Sequence, residues 1–211
     1  MDALLSLPQT ASFLLAALLV TLAPGPDNLL VLSLGMARGR RQGIAFGLGC
    51  AAGCLNHTLL AALGISALIA ASPPAFSVLK AAGGLYLVWL GVQAIRNARP
   101  SGATAPASAP ESSGQLFRKG LIANAINPKV ILFFLAFLPQ FVDHARPDTG
   151  WQIAQLGLLF TLQAALVFAG IGWFAGRIGE RLARSPRLGL WLDRVAGGVF
   201  VLLGARLLSA R

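Results

Sequence analysis

The sequence predicts an all-α membrane protein whose six transmembrane helices form two inverted three-helix repeats. Of its 211 residues, 56% are hydrophobic and 11% are charged, and the mean hydropathy is +0.72. A soluble domain carries about 25% charged residues, so this composition indicates a membrane protein. The apolar residues form six long runs, and short stretches of the two halves resemble each other.

These six apolar runs define the predicted spans. A helix needs about 20 mainly apolar residues to cross the hydrocarbon core. The runs cover residues 10–36, 43–71, 76–95, 116–142, 153–176 and 188–208. Residues 1–9 contain no Lys or Arg, whereas a cleaved signal peptide begins with a basic segment. We therefore expect the first run to remain in the protein as a span.

A polar stretch separates the third run from the fourth. Residues 98–115 are mostly Ser, Ala, Pro, Gly and Thr, and Glu111 is the acid among them. Such a stretch buries too little apolar surface to order itself, which predicts a flexible cytoplasmic linker. The linker divides the chain into a first three-helix repeat, residues 1–97, and a second, residues 116–211.

Basic residues collect at one end of the predicted spans. Twelve of the 17 lie there: Arg38, Arg40, Arg41, Arg96, Arg99, Arg118, Lys119, Arg177, Arg181, Arg184, Arg187 and Arg194. Because Lys and Arg concentrate in cytoplasmic loops, we expect this end in the cytoplasm and both termini in the periplasm. The formal net charge of +10 does not indicate a nucleic-acid partner, since the cations lie between apolar runs and not along one polar surface.

Two stretches of the second half resemble stretches of the first. Residues 80–86 match residues 194–200 around a shared Gly-Gly pair, and residues 23–30 align without gaps on residues 125–132. Each half has an odd number of spans, so the halves must be inserted in opposite directions. Inverted repeats of this kind are typical of secondary transporters, which bind substrate between the repeats.

Prolines interrupt the first and fourth runs. Pro24, Gly25 and Pro26 lie within the first run, and Pro128 lies within the fourth. Because proline lacks a backbone N–H and clashes with the preceding turn, we expect both helices to break there. Counted along each helix from the basic residues at its cytoplasmic end, both breaks lie roughly 15–16 Å deep, near the middle of a core about 30 Å thick.

An acid and a base occupy equivalent positions beside these breaks. Asp27 follows the first break and Lys129 follows the second, and Asn28 and Asn127 lie next to them. Ionised residues within the bilayer are costly and usually functional. We therefore expect these side chains to line a polar cavity that binds a zwitterionic substrate, with Asp27 exchanging a proton and Lys129 pairing with a carboxylate. The alternative is a permanent ion pair that locks the two repeats together.

Three further polar residues are candidates for lining this cavity: Asn56 and His57 in the second span, and Asn124 one turn before the second break. A hydrogen bond to a neighbouring helix is the simpler role for each. Cys50 and Cys54 are spaced by about one helical turn and are predicted to be packing residues. Two cysteines with one nearby histidine make a poor metal site, so no metal is expected.

The sequence carries no motif of an enzyme. It has no phosphate-binding loop, no nucleophile elbow and no paired-histidine zinc motif, which predicts a protein that is not an enzyme and uses no cofactor. Glycine pairs at four-residue spacing, such as Gly43/Gly47 and Gly49/Gly53, allow helices to approach closely. We expect them to pack helices within the chain, with a homodimer interface as the alternative.

Two motifs together resemble a known family. Pro24-Gly25-Pro26-Asp27 in the first span and Asn127-Pro128-Lys129 in the fourth, the latter followed by the aromatic-rich stretch 133–141, are similar to the lysine exporter/threonine–homoserine exporter family. The resemblance covers nearly the whole chain. It implies an exporter of amino acids or similar small metabolites in the bacterial inner membrane, surrounded by lipid and driven by the proton gradient. From the inverted repeats we expect this exporter to work by alternating access. A passive channel, or an exporter of another solute or ion, remains the alternative.

Overall fold

The computed structural model describes residues 5–98, 111–143 and 146–209, and within these ranges every regular element is a helix. The predicted linker lies largely at residues 99–110, outside the described residues, as does Arg99. The elements are α1 (Leu7–Leu22), α2 (Pro26–Arg38), α3 (Arg40–Ala71), α4 (Pro73–Arg96), α5 (Ser113–Ala125), α6 (Pro128–Leu132), a π-helix (Phe133–Phe137), a 3₁₀-helix (Leu138–Phe141), α7 (Thr149–Trp173), α8 (Ala175–Arg184) and α9 (Pro186–Ser209).

Several of these helices have the length and composition of membrane spans. In the part of the chain that the structure describes, α3, α4, α7 and α9 each meet both requirements alone. Two pairs meet them only if each pair is taken as one span: α1 with α2, and α5 with the helices from Pro128 to Phe141. The described residues are therefore all-helical, with four to six candidate spans, which lie where the apolar runs predicted them.

Each of these two pairs is bent at the break between its helices. The bend is 57° between α1 and α2, and 51° between α5 and the helices that follow Pro128. Pro26 and Pro128 stand in the first turn of their helices, where the missing N–H of proline needs no helical partner. After α6 the second pair widens into the π-helix Phe133–Phe137, a local distortion that often marks a functional segment.

The second pair begins within the predicted linker. The Ser112 side chain accepts a hydrogen bond from the Gln115 N–H at 3.3 Å, and the Gln115 side chain accepts one from the Ser112 N–H at 2.8 Å. This reciprocal capping box starts α5 at Ser113. Residues 113–115, which the sequence analysis assigned to the linker, therefore belong to the helix.

Helix α3 packs between α5 and α7, and glycines allow it to approach α5 closely. A Cβ on Gly49 would overlap the backbone carbonyl of Phe117, and a Cβ on Gly120 would overlap that of Phe46. Side chains larger than hydrogen at these positions would push α3 and α5 apart. The crossing therefore depends on small residues, as expected for helices that pack through their backbones.

One helix, α8, was not predicted. The sequence analysis left residues 177–187 between the fifth and sixth runs and assigned no helix to them. In the structure Ala175–Arg184 forms a helix of its own, with Ala175 and Leu182 buried. A short helix whose apolar face is narrow gives no long apolar run, which is the signal on which the predicted spans depended.

Candidate functional site at the two helix bends

The first bend leaves backbone carbonyls without helical donors. In an α-helix the carbonyl of Val20 accepts a hydrogen bond from the N–H of residue 24, and Pro24 has none. The ammonium of Lys129 is the donor instead: Nζ lies 3.3 Å from the Val20 oxygen and 3.1 Å from the Ala23 oxygen. Gly25 leaves room for it, because a Cβ there would lie 2.9 Å from Nζ. A side chain of the second half therefore caps the interrupted helix of the first half.

The second bend is capped in the same way by the first half. Pro128 has no N–H to offer the carbonyl of Asn124. That oxygen accepts a hydrogen bond from the Asn127 N–H at 2.9 Å and lies 3.1 Å from Nε2 of His57, on α3. Because a carbonyl oxygen only accepts, Nε2 must carry the hydrogen. The histidine thus has the simpler of its two predicted roles, and its partner is a backbone group that the bend exposes.

Asp27 is also held by the other half. Its Oδ2 accepts a hydrogen bond from Nδ2 of Asn124 at 2.9 Å. The carboxylate lies in the first turn of α2, where the helix dipole favours a negative charge. Oδ1 of Asn124 in turn lies 3.6 Å from the Cys54 thiol, which donates to it. Asn124 therefore joins Asp27, Cys54 and His57 into one buried network.

Asp27 and Lys129 border one small cavity, which we call the central cavity. They are 2% and 7% exposed, and among the described residues no ion pair within 4.0 Å joins them. The central cavity measures about 10 Å³, the lower limit for one water molecule and far below the roughly 300–1,000 Å³ of small-molecule sites. The site is therefore closed. Its other lining residues are Val20, Thr21, Cys54, Asn124, Val130, Phe160, Ala164 and Phe168.

Three buried polar atoms near the bends have no hydrogen-bond partner among the described residues: Oδ1 of Asn28, Nδ2 of Asn127 and Oε1 of Gln163. The other ends of these amides are engaged. Asn28 donates to the Thr21 carbonyl at 2.8 Å, Gln163 donates to the Thr21 hydroxyl at 2.6 Å, and Asn127 accepts from the Lys129 N–H at 3.0 Å. An unpaired buried polar group costs about 1–3 kcal/mol. The three atoms therefore offer two acceptors and one donor to a polar ligand.

The structure does not bring Asn56 to the central cavity. Asn56 is exposed and its neighbour His57 is buried, because successive residues on a helix point about 100° apart. Cys54 and Phe160 line the central cavity, and Gln163 donates to the hydroxyl of Thr21, which lines it too; none of these was predicted to belong to the site. A polar side chain in an apolar run was a usable signal for Gln163, whereas Cys54 and Phe160 look like ordinary packing residues in the sequence.

Aromatic rings separate the central cavity from a larger one near the start of α1. Ring centroids lie 5.4 Å apart for Phe141 and Phe13, 6.1 Å for Phe13 and Phe133, and 4.9 Å for Phe133 and Phe160. Phe141 lines a cavity of about 460 Å³, and Phe160 lines the central cavity. This series of packed rings closes the site toward the end of the protein where α1 begins.

One carboxylate links the two bent pairs at their other end. Glu111 lies 2.5 Å from Nζ of Lys119, in α5, and 3.1 Å from a guanidinium nitrogen of Arg38, at the end of α2. The hydrogen bond from Lys119, and after it that from Arg38, holds the pKa of Glu111 below its ordinary value. We call this contact the Glu111 bridge. It joins the last turn of α2 to the first half of the second pair.

The residues that form both bends lie within the match to one protein family. The model of the LysE type translocators matches residues 18–211. The chain belongs to this family. The resemblance predicted from the two proline motifs is therefore confirmed, and the match includes every residue that lines the central cavity.

Relatives of this LysE-type translocator match it over nearly their full length. It is 36% identical over 200 residues to a membrane protein of Vibrio cholerae. It is 33% identical over 200 residues to the homoserine/homoserine lactone efflux protein of Salmonella typhimurium. Each of these matches covers 95% of this chain and 96% of the relative. It is 30% identical over 203 residues to the leucine efflux protein of Enterobacter sp., over 94% of both chains. No solved structure matches it significantly.

Family membership and the helices together define the class of protein. A translocator with four to six candidate spans is a multi-pass membrane transporter. A family of translocators is a family of transport proteins, not of enzymes, which agrees with the lack of enzyme motifs in the sequence.

Proposed function

We propose that this LysE-type translocator exports amino acids or related small metabolites from the cytoplasm across the bacterial inner membrane by alternating access. One observation carries the proposal: an acid from the first half and a base from the second, Asp27 and Lys129, are both buried and border the same cavity. Ionised residues at this depth are usually retained for the solute that they bind.

The chemistry of the central cavity suits the part that all α-amino acids share. Relatives are named for efflux of homoserine and of leucine, whose side chains differ in polarity but whose ammonium and carboxylate groups are the same. Asp27 is the partner for the ammonium. Lys129, released from the carbonyls of Val20 and Ala23, is the partner for the carboxylate. The unpaired amide atoms of Asn28 and Asn127 supply further polar contacts.

The two halves act as inverted repeats in this proposal. Each half contains a bend that the other half caps: Lys129 reaches the carbonyl of Val20, and His57 reaches that of Asn124. A binding site between the halves opens to one side or the other when one half tilts against its neighbour. The aromatic rings close the path at one end and the Glu111 bridge closes it at the other. Transport requires them to open in turn.

The orientation and the energy source complete the proposal. The end with the Glu111 bridge and most arginines faces the cytoplasm, so both termini face the periplasm. Asp27 accepts either a proton or the substrate ammonium, and this competition couples export to the proton gradient. In proteoliposomes, export that continues at the same rate with and without a pH gradient would remove the proton role and leave the rest of the proposal intact.

Amino-acid efflux from intact cells tests the proposal. Cells that express the protein are loaded with dipeptides that are hydrolysed to each candidate amino acid, and the loss of that amino acid is followed. We expect faster efflux of one or a few amino acids, and loss of that efflux in Asp27→Asn and Lys129→Met. Asp193→Asn and Lys80→Met make the same chemical changes at residues that line neither cavity and take no part in the Glu111 bridge, and they serve as controls.

The outcomes separate the proposal from its rivals. Full export by both cavity variants, at matched protein levels, would show that Asp27 and Lys129 form a structural feature and not a binding site. Efflux that only follows the concentration gradient would favour a passive channel. No change across the whole amino-acid panel would assign the protein another solute.

A further inference from the structure

We propose that α8 binds the headgroups of anionic phospholipids. Three arginines, Arg177, Arg181 and Arg184, follow each other at spacings of four and three residues, which places them on one face of α8. All three are exposed, and none forms an ion pair among the described residues. The helix contains one acid, Glu180, so the arginines outnumber it.

The opposite face of α8 is fixed to the protein. Ala175 and Leu182 are buried, a Cβ on Gly35 of α2 would overlap Ala175, and a Cβ on Gly179 would overlap Met36 of α2. Helix α8 therefore packs closely on the cytoplasmic half of the first bent pair. Because it cannot rotate without losing these contacts, its arginine face is held outward.

Aromatic residues place this face at the level of the lipid headgroups. Trp173 ends the span α7, Phe174 follows it, and their exposed fractions are 53% and 47%. Tryptophan in this position is typical of the boundary between hydrocarbon and headgroups. The Arg177 guanidinium carbon lies 5.9 Å from the centre of the Phe174 ring, and that of Arg40 lies 4.2 Å from the Trp173 ring. The guanidinium groups are thus next to the membrane boundary.

Guanidinium groups recognise phosphate through two parallel hydrogen bonds. Zwitterionic phosphatidylcholine offers a phosphate that its own choline neutralises, whereas phosphatidylglycerol carries a net negative charge. Each basic residue near an anionic membrane surface strengthens binding about fivefold, so three on one face give a preference on the order of a hundredfold. A face that is merely hydrated would show no preference between these two lipids.

Lipid quenching of Trp173 fluorescence measures this preference directly. Trp89, Trp151 and Trp191 are replaced by Phe, which leaves Trp173 as the reporter next to α8. The protein is reconstituted in phosphatidylcholine bilayers that contain a fixed minority of brominated phosphatidylglycerol, or of brominated phosphatidylcholine with the same acyl chains. We expect the brominated phosphatidylglycerol to quench more strongly. We expect the difference to disappear when the three α8 arginines are replaced by Gln.

A matched variant separates the arginine face from net charge. Arg41, Arg96 and Arg118 are exposed and lie at the same end of the bundle but on other helices, so their replacement by Gln removes the same charge. We expect that variant to keep the preference. A reporter with Trp151 alone, near the other end of α7, should show no effect of the α8 substitutions. Equal quenching by both lipids, or an unchanged preference after loss of the α8 arginines, would overturn the proposal, whether or not the protein exports amino acids.

Discussion

Replacing Lys129 with Met tests whether the second half stabilises the bend of the first. Met has nearly the volume of Lys without the ammonium, so packing is kept and two hydrogen bonds, to the carbonyls of Val20 and Ala23, are lost. A hydrogen bond from a charged donor contributes about 1.5–3 kcal/mol. Removing a buried cation also recovers its desolvation penalty, which opposes that loss. The net change in the free energy of unfolding therefore depends on the carboxylate of Asp27, which remains buried in the variant.

Without Lys129, Asp27 is a buried charge without a nearby cation. Removing one partner of a buried charge pair costs about 3–5 kcal/mol. Here the hydrogen bond from Asn124 and the position at the start of α2 still stabilise the carboxylate, so we expect roughly 2–3 kcal/mol. In the double variant Asp27→Asn/Lys129→Met the unpaired charge is gone. We expect it to be more stable than Lys129→Met alone by about 1 kcal/mol or more, and still inactive in export.

Thermal unfolding of the purified protein in detergent measures these differences. For a chain of this length, 2–3 kcal/mol corresponds to a fall in Tm of roughly 4–12 °C. Arg118→Met is the control, because the Arg118 side chain is exposed and its replacement should change Tm little. If the stability changes of the two single variants, Asp27→Asn and Lys129→Met, add up to that of the double variant within about 0.5 kcal/mol, the two charges do not interact and the reasoning is refuted.

Three further predictions follow from the same contacts. His57→Phe removes the donor to the Asn124 carbonyl at the second bend and should destabilise the protein by about 1–3 kcal/mol. His57→Gln keeps a donor and should destabilise it less. Thermal unfolding of both variants in one detergent checks this difference. In Gly120→Ala the new Cβ overlaps a backbone carbonyl of α3, so the protein should lose roughly 1–3 kcal/mol of stability. In Gly170→Ala the new Cβ meets nothing within 4 Å, so the change should be neutral or slightly stabilising. An equal loss of stability in both variants would contradict the packing argument. The folded-state pKa of Glu111 is lowered, so its bridge stabilises the protein above the ordinary carboxyl pKa of 4.5 and is lost as the pH falls through the folded-state value. The difference in stability between the wild type and Glu111→Gln should therefore be present at neutral pH and close on acidification, and a constant difference would exclude the bridge as its cause.

The spans were predictable because the signal is local. A run of about 20 apolar residues is long enough to cross the hydrocarbon whatever surrounds it, and the helices α3, α4, α7 and α9 lie where such runs predicted them. The start of α5 at Ser113 was missed because the composition of residues 98–115 outweighed the capping signal of Ser112 and Gln115. Helix α8 was missed since a short helix gives no long apolar run.

The candidate site was predictable in composition but not in its contacts. The acid, the base and the neighbouring amides were expected at the breaks, and the structure places Asp27 and Lys129 at one cavity without a direct ion pair. Their roles in binding and proton exchange stay predictions. Asn56 and His57 are adjacent in the chain and were proposed together as lining residues, and neither is among the residues that line the central cavity. Only His57 is buried and reaches the second bend, through the Asn124 carbonyl, because the rotation of α3 about its axis depends on the helices that pack against it.

The sequence by itself determined that this is a helical membrane protein, because apolar runs of sufficient length can cross the hydrocarbon whatever surrounds them. It also places prolines, which lack a backbone donor, next to both bends. Only the tertiary structure decided which groups replace those donors. Lys129 reaches Val20 across 109 positions of the chain, and His57 reaches Asn124 across 67. Such pairings depend on how whole helices pack, and no local pattern in the sequence records that.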